Sequence, residues 1–397
     1  MSKILVIDYG WCNFHNLISM AECGHEVGVM TTAYKDFETV PTKFMSKFGI
    51  EVFDINRDSK LNEILPDFDI VLGTSPKVAH VRDRLAKNYP NIEYLGVTRK
   101  SATIEFNKFD VRHSLERRGI LVPPLMETPV APFVVKPRAV PVPIECAQIC
   151  LDEDTAHHFF TKDPWGKQCN SDNCYYEEFL PKPTIETNVD FCIAKGKWSI
   201  RHAQEIIGED VAKLANQFTH WTRTSSFKSL SDEMHEIAIE NAEIILDWCV
   251  GVCDESSYVG QITGLCTPDG DWYFCEINVR PEQTCSLPYF VTGDEYLEAM
   301  RGKPEILGDA FPKDVDKLIV LPNEPDSIYP YHLHEKYGVA IPCGLDIIDG
   351  EYRVSKQMRT RSKDERVGIV ICDKVIPEGF IHEMNSEDFE ITAKMIK

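Results

Sequence analysis

No run of apolar residues in this sequence reaches the ~18–20 that a membrane-spanning helix needs. The start, MSKILVID, lacks the longer apolar core and small-residue cleavage site of a signal peptide and reads as a short strand. The expectation is a mature chain that begins here, in the cytoplasm. Basic residues are scarce: 42 Lys and Arg stand against 63 Asp and Glu in 397 residues, a net charge of −21. Bulk DNA, RNA and anionic membranes repel such a chain, which argues against those partners but leaves room for a small basic pocket that holds a phosphate. Repeats and low-complexity runs are missing too, and 43% hydrophobic with 26% charged residues excludes a disordered tail protein. A disulfide framework is not expected. The 14 cysteines include Cys192, Cys266, Cys275 and Cys372 within apolar strands, and they read as reduced thiols. Cys169 and Cys174 have no matching downstream pair to complete the four ligands of a structural zinc site.

What is present is a chain long enough for two to four domains of about 100–200 residues. Short apolar strands at 3–8, 26–30, 49–55, 68–74 and 91–97 alternate with helices near 15–23 and 76–88. This alternation predicts βαβ units and a parallel sheet. Ligands of such sheets sit beyond the carboxyl ends of the strands, here the loops at 9–16 and 73–77. A charged helix over 101–118 ends at Gly119, followed by five prolines between 129 and 143 that exclude a helix. FVVK (133–136) and 145–151 read as strands and 152–160 as a helix. From 174 the pattern turns antiparallel, with a turn at 195–197. Met234, Ile237, Ala238, Ala242, Ile245 and Trp248 share one face of a helix over 231–249 and read as core. A small β-rich region follows 310.

The segment 258–284 carries the most chemistry. Thr267-Pro268-Asp269-Gly270 is a strong turn. A simple four-residue turn sets Glu276 opposite Gln261, a pairing that a one-residue bulge would spoil. Alternation then places Glu276, Asn278 and Arg280 on one face together with Trp272 and Phe274. A carboxylate, an amide oxygen and a guanidinium in line suit Mg²⁺ and a phosphoryl group. Glu177 and Glu178 beside an apolar strand, and Lys136 at the end of another, read on their own as a solvated edge and a snorkelling lysine.

Taken in order, these pieces resemble the ATP-grasp ligases, most of all their glycinamide ribonucleotide synthetase (phosphoribosylamine–glycine ligase) branch. The likeness covers nearly the whole chain. It implies an α/β and α+β architecture: a Rossmann-like domain (1–100), a split ATP-grasp module (101–305, with a small subdomain at about 125–170 and an antiparallel-sheet subdomain at about 174–305) and a small β-rich C-terminal domain (306–397). Ala102, Glu105 and Lys108 occupy the positions that precede the family's central module. By the same resemblance Lys108 and Lys136 hold the ATP phosphates, with Arg138 as an added charge. Glu177, Glu178, Phe179 and Leu180 surround the adenine, Glu186 lies near the ribose, and Glu276 and Asn278 bind Mg²⁺ (Mn²⁺ as an alternative). Arg280 stabilises the transferring phosphoryl group. The implied reaction joins a small-molecule carboxylate to an amine through an acyl phosphate.

The departures are equally specific. The loop after Lys136, from Pro137 to Pro143, has three prolines and no glycine where the family wraps the phosphates with glycine N–H groups. In the first domain only His15 survives of the family's Gly-Gly-Arg-Glu-His loop, and its arginine is Asn13. The residues expected to line the acceptor cleft are Gly10, Trp11, Asn13, His15, Gly73, Thr74 and Ser75. They imply an acceptor other than phosphoribosylamine. Two readings stay open: a ligase with a different acceptor, favoured by the retained lysines and metal ligands, and an ATP-binding sensor or scaffold without turnover, favoured by the glycine-free loop.

Overall fold

A computed structural model describes residues 1–7, 14–31, 42–54, 58–139, 147–163, 166–180, 185–207, 226–253, 255–281, 291–309, 316–322, 327–339, 345–354, 369–373, 375–386 and 391–396. The N-terminal apolar runs form a five-stranded parallel sheet: β1 (Lys3–Ile7), β2 (Glu26–Thr31), β3 (Glu51–Asp54), β4 (Ile70–Gly73) and β5 (Glu93–Gly96), in the order β3-β2-β1-β4-β5. Ile4 to Ile7 and Ile70 to Gly73 are wholly buried, as continuous apolar runs covered on both faces must be. The chain reverses its direction across the sheet between β1 and β4, so the crevice beyond Ile7 and Gly73 is the switch point where such sheets bind ligands.

The expected helix over 101–118 is two helices, Arg99–Phe106 and Lys108–Glu116. Asn107, with φ −98° and ψ 62°, leaves helical space between them. This break is what puts Lys108 at a helix start. Gly119 has φ +85°, the left-handed conformation expected of a stop.

A four-stranded antiparallel sheet follows, β6 (Leu125–Met126), β7 (Phe133–Pro137), β8 (Gln148–Cys150) and β9 (Cys174–Glu178), ordered β6-β9-β7-β8. The strand at 174 therefore pairs with β6 and β7, not with the strands that come after it.

The second antiparallel sheet holds β10 (Ile185–Ala194), β11 (Lys197–Ile207), β12 (Ser226–Ser229), β13 (Ser257–Cys266) and β14 (Trp272–Asn278), ordered β12-β11-β10-β13-β14. Lys195 (φ 48°) and Gly196 (φ 78°) make the two-residue turn between β10 and β11. Helix Asp232–Val252 lays Ala238, Ala242 and Ile245 on one face of this sheet, against Val189, Phe191 and Ile277. C-terminal to these lie a three-stranded antiparallel sheet, β15 (Asp316–Pro322) between β18 (Ile369–Asp373) and β19 (Ile391–Ile396), and the hairpin β16 (Leu345–Ile348)–β17 (Glu351–Val354). One buried cluster joins Val6 and Leu72 of the first sheet to Met300, Ile371 and Phe380, so this region shares the N-terminal core.

Candidate functional site

The geometry of the site is set by an irregularity in the β13–β14 hairpin. The predicted turn is present but one residue longer: Gly270 N–H donates to Thr267 O, and Thr267 N–H to Asp271 O. The ladder then slips again between Phe274 and Glu276, leaving Cys275 without a cross-strand partner. Two expectations are corrected by this. Glu276 faces Thr263, and Gln261 faces Asn278. The core face of β14 carries Trp272 and Phe274 and then Ile277 and Val279, so the bulge shifts the alternation by one. Glu276 and Asn278 lie on the other face, away from Trp272 and Phe274.

That other face is a polar floor four strands wide. One row reads Gln204, Asn188, Thr263, Glu276; the next reads His202, Asp190, Gln261, Asn278. Thr263 Oγ1 donates to Asn188 Oδ1 at 2.7 Å, and Gln261 Nε2 donates to Asp190 Oδ1 at 2.9 Å. Asn188, Asp190, Gln204, Gln261, Thr263 and Asn278 are all buried. Glu186 falls in line with Asn188 and Asp190 and is half-buried.

Lys108, at the start of its helix, donates from Nζ to Glu276 Oε2 at 2.7 Å. Burial alone would raise the Glu276 carboxyl, but Lys108 on it, with Lys136 and Arg280 nearby, brings it down to about 2. Glu276 keeps 31% of its side-chain surface open despite this setting, so it lies in a recess. From the preceding helix, the buried Glu105 accepts the Val279 N–H at 2.8 Å and Arg280 Nε at 3.1 Å. Its carboxylate thus orients the guanidinium at the end of the hairpin.

Lys136 is no snorkelling surface residue: it is buried, and so is Glu177. Both lie on the face of the small sheet opposite Phe133 and Val135, which face the core. Lys136 Nζ sits 2.7 Å from Glu177 Oε2 and donates to Cys275 O at 3.0 Å, next to Glu276. Burial would lower the Lys136 ammonium, but Cys275, Glu177 and Tyr175 around it hold it well above the usual lysine range. Glu177 has a second cation, Arg112, whose Nε donates to Oε1 at 3.0 Å. Glu178 points to solvent, and Phe179 and Leu180 are half-buried in the segment that leaves β9. Arg138 lies over the Phe109 ring at 3.8 Å and donates from Nε to Ser171 O and Cys174 O.

In the first sheet, Gly73 ends β4, Thr74 is buried, and the Ser75 side chain caps a short turn by accepting from Lys77 N–H. His15 is buried at the start of helix Phe14–Glu22, and burial lowers its imidazole to about 3, so it is neutral at ordinary pH. Gly10, Trp11, Asn13 and the loop at 140–146, including Pro141 and Pro143, lie outside the described residues.

No protein-family model matches the sequence, and no curated protein does. Solved structures match over nearly the full length. An L-amino acid ligase from Bacillus licheniformis is 12% identical, covers 99% of this chain and 98% of its own, and has a TM-score of 0.65. N5-carboxyaminoimidazole ribonucleotide synthetase in complex with ADP is 15% identical over 97% and 96%, at 0.62. Biotin carboxylase from Campylobacter jejuni, in a β,γ-ATP complex, is 14% identical over 100% and 93%, at 0.59. The chain has the ATP-grasp fold. Within it, the small sheet and the β13–β14 hairpin are the two walls that carry Lys136 and Glu276.

Beside these side chains lie residues that the sequence left unassigned. Arg112 sits inside a helix full of charges and gives no pattern of its own. Asn188 and Asp190 do leave a signal: polar residues that alternate with Val189 and Phe191 along one strand. The oxygen donors of Glu276 and Asn278 fit Mg²⁺, which takes one or two protein ligands and completes its shell with water and phosphate. Among the described residues no group of three or more His, Cys, Asp and Glu gathers, so water and phosphate oxygens would have to supply the rest. No helix of the described residues is long and apolar enough to cross a membrane.

Proposed function

We propose that this protein is an ATP-dependent carboxylate–amine ligase, divergent from the glycinamide ribonucleotide synthetase branch and serving a different acceptor. Lys108 and Lys136 hold the ATP phosphates, with Arg138 beside them. The segment Glu177–Leu180 borders the adenine, Glu186 the ribose, and Glu276 and Asn278 are the ligands for Mg²⁺ or Mn²⁺. Bound there, the metal would neutralise phosphate charge during transfer. The shared fold with an L-amino acid ligase and with nucleotide-bound ligases supports the reaction class. The observation that carries the reading is the convergence of Lys108 and Lys136 from different elements on the Glu276 end of one hairpin.

The chemistry runs in two displacements. A carboxylate oxygen of the first substrate takes the γ-phosphoryl group and ADP leaves. The amine then attacks the acyl carbon, inorganic phosphate leaves, and the amine nitrogen gives up a proton to form the amide. Most of the acceleration in such a reaction comes from positioning and charge neutralisation. Arg280, fixed by Glu105, would face the transferring group.

Gly10, Trp11, Asn13, His15, Gly73, Thr74 and Ser75, the residues that the resemblance assigns to the acceptor, would take it. Asn13 in place of the family's arginine removes a bidentate phosphate partner, which favours an unphosphorylated amine. ADP release measured against a panel of amino acids and amines tests the proposal. Release that depends on both a carboxylate and an amine supports it. Nucleotide binding without release for any pair would favour the sensor reading, to which the glycine-free loop after Lys136 points.

A further inference from the structure

Glu177 is buried between two cations that are held very differently. Arg112 is committed at every nitrogen: Nε to Glu177 Oε1, Nη1 to Glu116 at 3.4 Å, and Nη2 to the carbonyl of Pro123. It is 3% exposed. Lys136 holds the other Glu177 oxygen and the Cys275 carbonyl through one ammonium on a four-carbon stem. A guanidinium locked in a fork stays in place, whereas an ammonium on a flexible stem can exchange partners. Pulling Lys136 onto a phosphate would strand a buried carboxylate if nothing else neutralised it, and buried unpaired charge is strongly disfavoured.

We infer that Arg112 is a positioning residue for nucleotide binding: it neutralises Glu177 so that Lys136 can leave that carboxylate for the nucleotide phosphates. The inference rests on the proposed role of Lys136. Arg112 itself touches no nucleotide. Without it, Lys136 is the sole cation paired with Glu177 among the described residues and is retained there. The apo fold keeps one neutral pair, but the nucleotide must now break it.

The test is ADP binding by calorimetry on the full chain, with the fold of each variant checked by circular dichroism. Arg112→Met should bind ADP about tenfold or more weakly than the parent, within the usual range of coupling between sites. Adding Glu177→Gln removes the acid that detains Lys136, so the double variant should bind better than Arg112→Met and close to Glu177→Gln alone. A merely structural role for Arg112 would give no such rescue. Parent-like affinity in Arg112→Met, or a double variant no better than the single, overturns the inference. If Arg112→Met does not fold, Arg112→Gln with and without Glu177→Gln gives the same comparison, because glutamine keeps an N–H donor but carries no charge to neutralise Glu177. A parent chain that binds no ADP at all would instead defeat the assignment of Lys136 to nucleotide, and with it the proposed ligase reading.

Discussion

Thr263, not Gln261, lies directly across the hairpin from Glu276. Its hydroxyl is turned to Asn188, so the pair sets one carboxylate beside a hydroxyl that is already hydrogen-bonded. Lys108 then sits on the one acid of that cross-strand pair.

Glu276→Gln removes that charge from a partly open position at the recess, without touching the core face of β14. Turnover should fall by about a hundredfold or more, since such electrostatic contributions amount to several kcal/mol. The chain should stay folded, with a melting temperature below that of the parent because Lys108 loses its partner. Steady-state ADP release with varied Mg²⁺ checks this, and full metal-dependent activity would remove Glu276 from the site.

His15 gives the stability a pH dependence of defined sign. Its imidazole titrates at about 3 in the fold against 6.5 when free. The unfolded chain binds the proton first, so the contribution is whole above about 6.5 and is lost as pH falls towards 3. Urea titrations across that window should give a flatter curve for His15→Asn than for the parent. Parallel curves would show that burial of His15 is not coupled to acid unfolding.

Gly264 has no room for a side chain: a Cβ there would lie 2.0 Å from the Trp272 ring. Because Trp272 is itself buried and donates to Thr187 Oγ1, the ring has little freedom to move. Gly264→Ala should cost about 1–3 kcal/mol, the usual penalty for overpacking. Equilibrium denaturation equal to the parent's would mean the hairpin yields more easily than its geometry indicates.

Glu105→Gln retains an oxygen for the Val279 N–H but removes the charge that holds Arg280. The expected result is a fall in kcat of about tenfold with KM for ATP nearly unchanged, since a charge-assisted contact is worth roughly 1.5–3 kcal/mol. A change confined to KM would place Arg280 in ground-state binding.

The acceptor prediction comes from Asn13 in place of the arginine found in the resembling family. Phosphoribosylamine, glycine and ATP should yield no glycinamide ribonucleotide at a useful rate. Robust product, detected by mass spectrometry, would require cationic side chains elsewhere to supply the missing contact.

The sequence by itself determined the parallel sheet, because runs such as KILVI and IVLG can only be buried on both faces. It also determined the turn at Lys195-Gly196, where left-handed backbone is required, and the order of the charged residues along the chain. Tertiary structure alone decided the face on which Glu276 lies. The unpaired Cys275 inverts strand alternation, and a bulge leaves no local composition signal. Tertiary structure also split the helix at Asn107, which brings Lys108 to Glu276, 168 positions further on. Glu177 shows the limit most plainly. In the sequence it is one of two adjacent acids beside an apolar strand, indistinguishable from a solvated edge. Its role depends on Lys136 of the neighbouring strand and Arg112 of a separate helix, and no spacing along one strand encodes that convergence.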